Sequence, residues 1–243
     1  MRLPLAPGGL REMAVLTVVF GGGAAGLLVA ALSGLSWAWP ATATCAILWL
    51  GGLAFFRDPE RTTPSEPGSL VSAADGRVTE VSPLDHHEPI GGPALRIGVF
   101  LSVFDVHVNR SPCAGTVRSV TYKPGRFLDA RHADSGAMNE ANTIVIDPDP
   151  PHAGPVVVRQ VAGLIARRIV CGVHPGDRVE AGQRIGLIKF GSRTEVIVPG
   201  PDAYEPAVQV GDRVFGATTV LARRIAREPS AAGRTESTAA AGR

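Results

Sequence analysis

IGLIKFGSRTEVIVP, residues 185–199, places two apolar, strand-like runs on either side of the short break Gly191-Ser192-Arg193. The break lacks the Asn-Gly or Asp-Gly pair that is typical of a tight hairpin turn. Gly191 has no side chain to shield its carbonyl from the neighbouring Ser192 hydroxyl, and a strained backbone there would favour an N-to-O acyl shift. The stretch therefore predicts either an ordinary turn or a reactive peptide bond between two strands.

Short apolar runs separated by Gly and Pro continue through most of the chain. Its 243 residues include 29 Gly and 20 Pro, and only 5% are aromatic, which favours a β-rich body over a helical bundle. Two segments, VHPGDRVEAGQRIGLI from Val173 and VQVGDRVFGATTVLA from Val208, share a Gly-Asp-Arg-Val turn that resembles the lipoyl and biotinyl carrier hairpin. We interpret them as quasi-symmetric halves of one small barrel. The predicted class is mainly β with a minor α component.

The N-terminal part of the chain is strongly apolar. From Met13 to Phe56 it contains no Asp, Glu, Lys, Arg or His, and one bilayer crossing needs roughly 20 apolar residues. We predict a transmembrane helical hairpin with helices at residues 14–32 and 41–56; because the second is short, a re-entrant hairpin is an alternative. Basic residues at both outer ends predict cytoplasmic flanks. A cleaved signal peptide is the other alternative, but the apolar region of a signal peptide is far shorter than this run.

The chain accordingly divides into three predicted parts. Residues 1–56 form the membrane hairpin, residues 57–226 a β-rich domain, and residues 227–243 a small, polar tail that should be disordered. The formal charge of +2 is too small to indicate a nucleic-acid partner. Three widely spaced cysteines indicate a reducing compartment. His86 and His87 have no third ligand at metal spacing, so no metal is expected.

Two residues are candidates for acid–base chemistry. His107 lies in LSVFDVHVNRSP, where the alternation of a strand puts it on the same face as Asn109 and opposite two valines. Asp75 precedes a glycine in SAADGRV, which is typical of a turn. Taken singly, a strand histidine and a turn aspartate are more often structural than catalytic, so the residues alone leave both roles open.

Seven blocks, in order from Phe55 to about Pro199, resemble the short bacterial and archaeal form of phosphatidylserine decarboxylase, a pyruvoyl-dependent enzyme. They are FFRDPER, ADGRV, FLSVFDVHVNRSPCAGTV, YKPGRFLDA, NEANT, RQVAGLIARRIV and GQRIGLIKFGSRTEVIVP. Seven collinear blocks are far harder to obtain by chance than any single motif. The resemblance implies a lipoyl-like hybrid β-barrel behind the membrane hairpin.

The resemblance also implies self-cleavage between Gly191 and Ser192. Ser192 attacks the Gly191 carbonyl, and β-elimination releases chain 1–191 from chain 192–243, the two remaining together as a heterodimer. Position 192 becomes a covalent pyruvoyl group, so neither pyridoxal phosphate nor a metal is needed. Phosphatidylserine would then be decarboxylated to phosphatidylethanolamine through a Schiff base on that group.

The implied residue roles follow from the same resemblance. His107 transfers protons and Asp75 orients it. Arg193, Arg110 and Arg168 are candidates for binding the substrate carboxylate or phosphate. Arg110 stands where the longer family form has a second histidine, so the division of labour between two histidines does not carry over. The protein is expected at the inner membrane with its catalytic domain on the cytoplasmic face; a homodimer is left open.

Two other functions account for part of the sequence. A membrane-anchored lipoyl-like carrier would explain the hairpin and the Gly-Asp-Arg-Val turns, but Lys189 lacks the Glu-x-x-Lys-Met setting of a carrier lysine. A related decarboxylase acting on a soluble amino acid would explain the Gly-Ser-Arg break but gives no reason for a membrane hairpin.

Overall fold

The computed structural model describes residues 4–128, 138–163, 168–189, 192–200 and 202–225. Gly191 and the tail at 227–243, for which cleavage and disorder are predicted, therefore lie outside the described residues.

Two helical segments form the N-terminal hairpin. The first runs from Pro7 to Leu32 and the second, α3, spans Ala38–Phe55; both are long and apolar enough to cross a membrane. The first comprises a 3-10 turn (Pro7–Gly9), α1 (Leu10–Leu16), a π-helical turn (Thr17–Gly21) and α2 (Gly22–Leu32). Large apolar side chains such as Val18, Leu32 and Ile47 are exposed, and a continuous apolar surface of this kind indicates contact with lipid or with another protein.

The rest of the described chain is built almost entirely of strands. They are β1 (Ser69–Val71), β2 (Gly76–His87), β3 (Gly92–Leu101), β4 (Val108–Arg110), β5 (Gly115–Lys123), β6 (Ala141–Pro148), β7 (Val156–Val161), β8 (Ile169–Cys171), β9 (Arg178–Val179), β10 (Arg184–Ile188), β11 (Ser192–Pro199), β12 (Tyr204–Pro206), β13 (Arg213–Val214) and β14 (Val220–Arg224).

Three antiparallel sheets organise these strands. The largest has eight strands in the order β13-β2-β3-β11-β7-β6-β5-β9, and the smaller two have the orders β1-β14-β12 and β4-β10-β8. This architecture confirms the mainly β class and the N-terminal helices. Strands β13 and β9 lie at opposite ends of the large sheet. That the β domain is a lipoyl-type hybrid barrel stays a prediction.

The two Gly-Asp-Arg-Val segments occupy equivalent places at the two ends of this sheet. Strand β9 pairs with the start of β5, and β13 pairs with the start of β2. The backbone N–H of Val117 donates to the Asp177 carbonyl at 2.9 Å, and that of Val78 donates to the Asp212 carbonyl at the same distance. The predicted internal repeat is therefore a real structural repeat, with β11 and β7 paired at the centre of the sheet.

The base of the hairpin packs directly on the β domain. Met13, Phe55 and Phe56 share a buried apolar cluster with Val108 of β4 and Leu187 of β10, among others. The approach is so close that a Cβ on Gly9 would lie 2.1 Å from the Phe56 ring. Since apolar burial on this scale stabilises a fixed arrangement, the hairpin holds the β domain in a defined position at its base.

Candidate active site

Ser192 is the first residue of β11 and pairs with Leu101, the last residue of β3. Its side chain is fully buried, and its Oγ has no hydrogen-bond partner among the described residues. Most buried hydroxyls in proteins are hydrogen-bonded because an unpaired one costs free energy. An unpaired buried hydroxyl beside the predicted cleavage position is therefore a candidate for a reactive group.

The alternation of β11 places its side chains on two different faces of the large sheet. Val196 and Val198 belong to the main apolar core, and Ser192 shares their parity. Arg193 and Glu195 project from the opposite face, where they meet charged neighbours. Ser192 is therefore on the core side of the sheet.

Arg193 is held by carboxylates on the opposite face. Its guanidinium forms an ion pair with Glu80, and its Nε lies 3.0 Å from Oε1 of Glu195, at an angle too poor for a hydrogen bond. Glu195, Arg159 and Arg96 line a cavity of about 610 Å³ on that face. The position of Arg193 therefore favours anchoring of the β11 start over contact with a substrate at Ser192.

Replacing Arg193 with Gln should lower stability without weakening substrate binding. Glu80 and Glu195 would each lose a partner, which we expect to cost about 2 kcal/mol of unfolding free energy because other arginines stay nearby. Unfolding in detergent and KM for phosphatidylserine are the measurements. As control, Arg118→Gln removes an exposed arginine paired with Asp147 and should cost less than about 1 kcal/mol. A higher KM at unchanged stability would instead place Arg193 at the substrate.

His107 is fully buried just before β4. Its Nδ1 lies 2.9 Å from the backbone carbonyl of Asp105, and its ring centroid lies 4.3 Å from that of Phe55 at the base of the hairpin. A carbonyl only accepts hydrogen bonds, so this contact requires the proton on Nδ1 and leaves the lone pair on Nε2. The backbone of Asp105 thus selects the tautomer that can act as a base through Nε2.

The carboxylate of Asp105 holds that turn in place. It accepts hydrogen bonds from the backbone N–H and the hydroxyl of Ser102, at 2.7 and 2.8 Å, and forms an ion pair with Arg213. Arg213 belongs to the second Gly-Asp-Arg-Val segment, so the repeat directly supports the histidine turn. Asp105 was not predicted as a site residue, although FDVH places it two residues before the histidine.

Burial keeps His107 neutral. Removal from water lowers the pKa of the imidazole to about 4, outweighing the Asp105 carbonyl and the charges of Asp105 and Asp75, which act in the opposite direction. At neutral pH the side chain is therefore an uncharged imidazole.

Three contacts bring the segments that carry His107 and Ser192 together. The backbone N–H of Ile188, four residues before Ser192, donates to the His107 carbonyl at 3.2 Å. Asn109, two residues after His107, donates through Nδ2 to Oγ1 of Thr194, two residues after Ser192, at 2.9 Å. The third is the pairing of Ser192 with Leu101, which precedes the histidine turn. These contacts place the segment of His107 next to the segment of Ser192.

A chain of buried amides continues from this region. Gln160 donates to Oδ1 of Asn109 at 2.8 Å, and Asn142 donates to Oε1 of Gln160 at 2.9 Å. All three side chains are buried, and a fully hydrogen-bonded polar network fixes side-chain orientation in a core. No role for these residues was predicted from the sequence, where each amide stands beside other polar or charged residues.

Asp75 is buried in the turn that precedes β2. Its carboxylate pairs with Arg61, whose Nη2 lies 2.7 Å from Oδ2, and accepts a hydrogen bond from the Gly216 N–H at 2.8 Å. Asp75 therefore ties the segment after the hairpin to the turn before β14, and its charge also reaches His107. Whether it orients the histidine stays a prediction.

Arg110 and Arg168 lie in contrasting surroundings. Arg110 is buried, and its guanidinium binds the Asp58 carboxylate at 2.7 Å and the carbonyls of Pro59 and Gly182. Arg168 is exposed and lines a cavity beside α1. Of these two candidates, only Arg168 presents its charge to solvent.

Known proteins resemble this chain over most of its length. A family model for phosphatidylserine decarboxylase matches residues 53–222. A phosphatidylserine decarboxylase proenzyme of Rhodopirellula baltica is 40% identical over 91% of this chain and 88% of its own length. Proteins of the same name from Symbiobacterium thermophilum and Solibacter usitatus are 48% and 45% identical, over 76% and 84% of this chain and 84% and 92% of their own lengths.

Fold and site together define a β-rich enzyme with an apolar helical hairpin at its N-terminus. The chain belongs to the phosphatidylserine decarboxylase family, which confirms the resemblance predicted from the seven sequence blocks. It is accordingly a lyase of phospholipid metabolism, and its relatives are named as proenzymes.

Proposed function

We propose that this chain cleaves itself between Gly191 and Ser192 and uses the new end of the short chain to decarboxylate phosphatidylserine. The observation that carries the proposal is the buried Ser192 hydroxyl without a partner among the described residues, in the same region as a neutral His107. A relative named as a proenzyme agrees with a processing step.

In the proposed maturation, Nε2 of His107 accepts the Ser192 hydroxyl proton while Oγ attacks the Gly191 carbonyl. The C–N bond of the Gly191–Ser192 peptide breaks as the ester forms. β-Elimination then breaks the Cβ–Oγ bond, giving Gly191 a free carboxylate and leaving dehydroalanine at position 192. Water converts that residue to a pyruvoyl group and ammonia is lost.

The residues around Ser192 fit a pyruvoyl group at that position. Once formed, the group would supply an electrophilic carbonyl for the serine amine and a sink for the electron pair released with carbon dioxide. His107 would hold a proton at Nε2 and return it, and the contact of Phe55 with its ring supports a site shielded from water. Thr194 and Asn109 keep the start of β11 in register.

Both chains would remain in one fold after cleavage. Strand β11 is paired with β3 from Ser192 to Pro199 and with β7 from Arg193 to Ile197. The ion pairs of Arg193 add side-chain anchoring directly after the cut. We propose a heterodimer of chains 1–191 and 192–243; a homodimer of these pairs stays a prediction.

The two apolar helices support a location at the inner membrane. Each is long enough to span the bilayer, and their packing keeps His107 close to the base of the hairpin. Basic residues at both outer flanks favour a cytoplasmic catalytic domain. A phospholipid could then reach the site without leaving the bilayer.

Intact-mass analysis of the wild-type protein tests the proposal. We expect two species, residues 1–191 and 192–243, with the short chain lighter by one ammonia than the same chain beginning with serine. Borohydride treatment in the presence of phosphatidylserine should attach the lipid to the short chain. A single 25.3 kDa species in preparations that decarboxylate phosphatidylserine would contradict the proposal.

A further inference from the structure

A second cavity, of about 440 Å³, lies where the first membrane helix meets the β domain. Arg11 and Glu12 line it from α1, and Lys189 lines it from the end of β10. Arg168 lines it from the residue just before β8. Three cationic side chains therefore face one carboxylate around this cavity.

The positive charges are only partly neutralised. Nζ of Lys189 lies 2.6 Å from Oε1 of Glu12, and the Lys189 residue is 7% exposed. Arg11 and Arg168 are exposed, and within the part of the chain that the structure describes neither forms an ion pair with a carboxylate. Two unpaired guanidinium groups at one concave surface favour binding of an anion.

The cavity lies at the boundary between charged and apolar surface. Arg11 and Glu12 are the last charged residues before the uncharged run that begins at Met13. A different face of the same helix carries an apolar groove of about 520 Å³, lined by Leu5, Leu10, Met13, Ala14, Thr17, Val18 and Leu53. A cationic cavity at the membrane end of the β domain matches the head group of an anionic phospholipid.

We propose that this cavity binds the phosphodiester of the phosphatidylserine head group while the acyl chains stay in the bilayer. Arg11 and Arg168 contact the phosphate oxygens, and Lys189, oriented by Glu12, adds a third positive charge. Lys189 precedes Ser192 by three residues, which span at most about 10 Å. A phosphate bound beside Lys189 would therefore lie in the neighbourhood of position 192. This inference rests on the proposed function.

Phosphorus NMR of the full-length Ser192→Ala protein in phosphate-free maltoside micelles tests the proposal without requiring cleavage. The probe is sn-glycero-3-phosphoserine, the deacylated substrate, whose phosphorus resonance should shift and broaden on binding. Arg11→Gln or Arg168→Gln should each raise Kd about five- to tenfold, because each removes a charge-assisted contact at an exposed site. In the cleavable background, the same variants should raise KM for phosphatidylserine and leave cleavage complete.

Arg223→Gln is the matched control, since Arg223 is an exposed arginine paired with Glu66, and its Kd should be unchanged. Equal Kd values in all variants, or an equal rise in the control, would overturn the proposal. So would binding of inorganic phosphate as tight as that of glycerophosphoserine, which would assign the cavity to free phosphate. An uncleaved wild type would contradict the proposed function. The NMR experiment does not depend on cleavage, so it would still test binding at this cavity.

Discussion

Ser192→Ala should yield a single 25.3 kDa chain that has no decarboxylase activity but is folded at least as stably as the uncleaved wild-type precursor. Without Oγ there is no nucleophile for the Gly191 carbonyl, so the chain stays intact and the carbonyl needed for catalysis is never made. Activity should fall by about 10⁶-fold or to the detection limit, as when other covalent nucleophiles are removed. Intact mass, lipid product analysis and thermal unfolding are the measurements.

The stability part of this prediction follows from the environment of Oγ. It is buried with no partner among the described residues, so removing it relieves a cost of about 1 kcal/mol or more. Ser111→Ala is the matched control, because Ser111 is equally buried but its hydroxyl donates to the Cys113 carbonyl at 2.6 Å. That variant should lose about 1 kcal/mol and still cleave fully. Cleavage of Ser192→Ala would exclude the proposed nucleophile.

Local patterns in the sequence predicted much of the β domain. The Gly-Asp-Arg-Val repeat identified β9 and β13 as equivalent elements because a turn with a fixed sequence makes the same backbone hydrogen bonds wherever it recurs. The period of two in VHVN predicted that His107 and Asn109 share one face, and both side chains are buried. These features depend on residues that are close together in the chain, so short-range sequence patterns predict them.

Contacts between residues that are far apart in sequence could not be predicted from such local patterns. Arg193 follows Ser192 directly, yet it projects to the other face and pairs with Glu80, which is far away in sequence. Arg110 is bound by Asp58 of the segment after the hairpin. Consecutive strand residues point in opposite directions. A charged residue that follows Ser192 in sequence therefore does not have to lie on the same face of the sheet.

The contact between the hairpin and His107 was also missed. The apolar run was predicted only as a membrane anchor ending at residue 56, whereas Phe55 packs against the imidazole. A pair of phenylalanines at the end of a membrane helix fits an interfacial position equally well. Only the three-dimensional packing distinguishes a lipid-facing ring from one that covers a predicted catalytic residue.

His107→Gln should slow self-cleavage by about 10²- to 10⁴-fold, the usual contribution of a general base. Glutamine can keep a hydrogen bond to the Asp105 carbonyl but has no basic nitrogen to accept the Ser192 proton. The fraction of cleaved chain, followed by intact mass after synthesis, measures the effect. His86→Gln is the control, since His86 is exposed, and it should cleave at the wild-type rate. A His107→Gln protein that is fully cleaved but inactive would confine the histidine to turnover.

The pH dependence gives a more specific test of the same residue. Because burial lowers the pKa of His107 to about 4, Nε2 stays unprotonated and the wild-type cleavage rate should be flat from pH 8 to about pH 5 and fall below that. The folded-state pKa lies below the unfolded value near 6.5, so the unfolded chain binds the extra proton first. Stability should therefore decline as pH falls from about 6.5 to about 4, by about 3 kcal/mol in total, and His107→Gln should remove that decline. A cleavage midpoint near pH 6.5 would mean that the catalytic imidazole is solvated, and would contradict the covering role of Phe55.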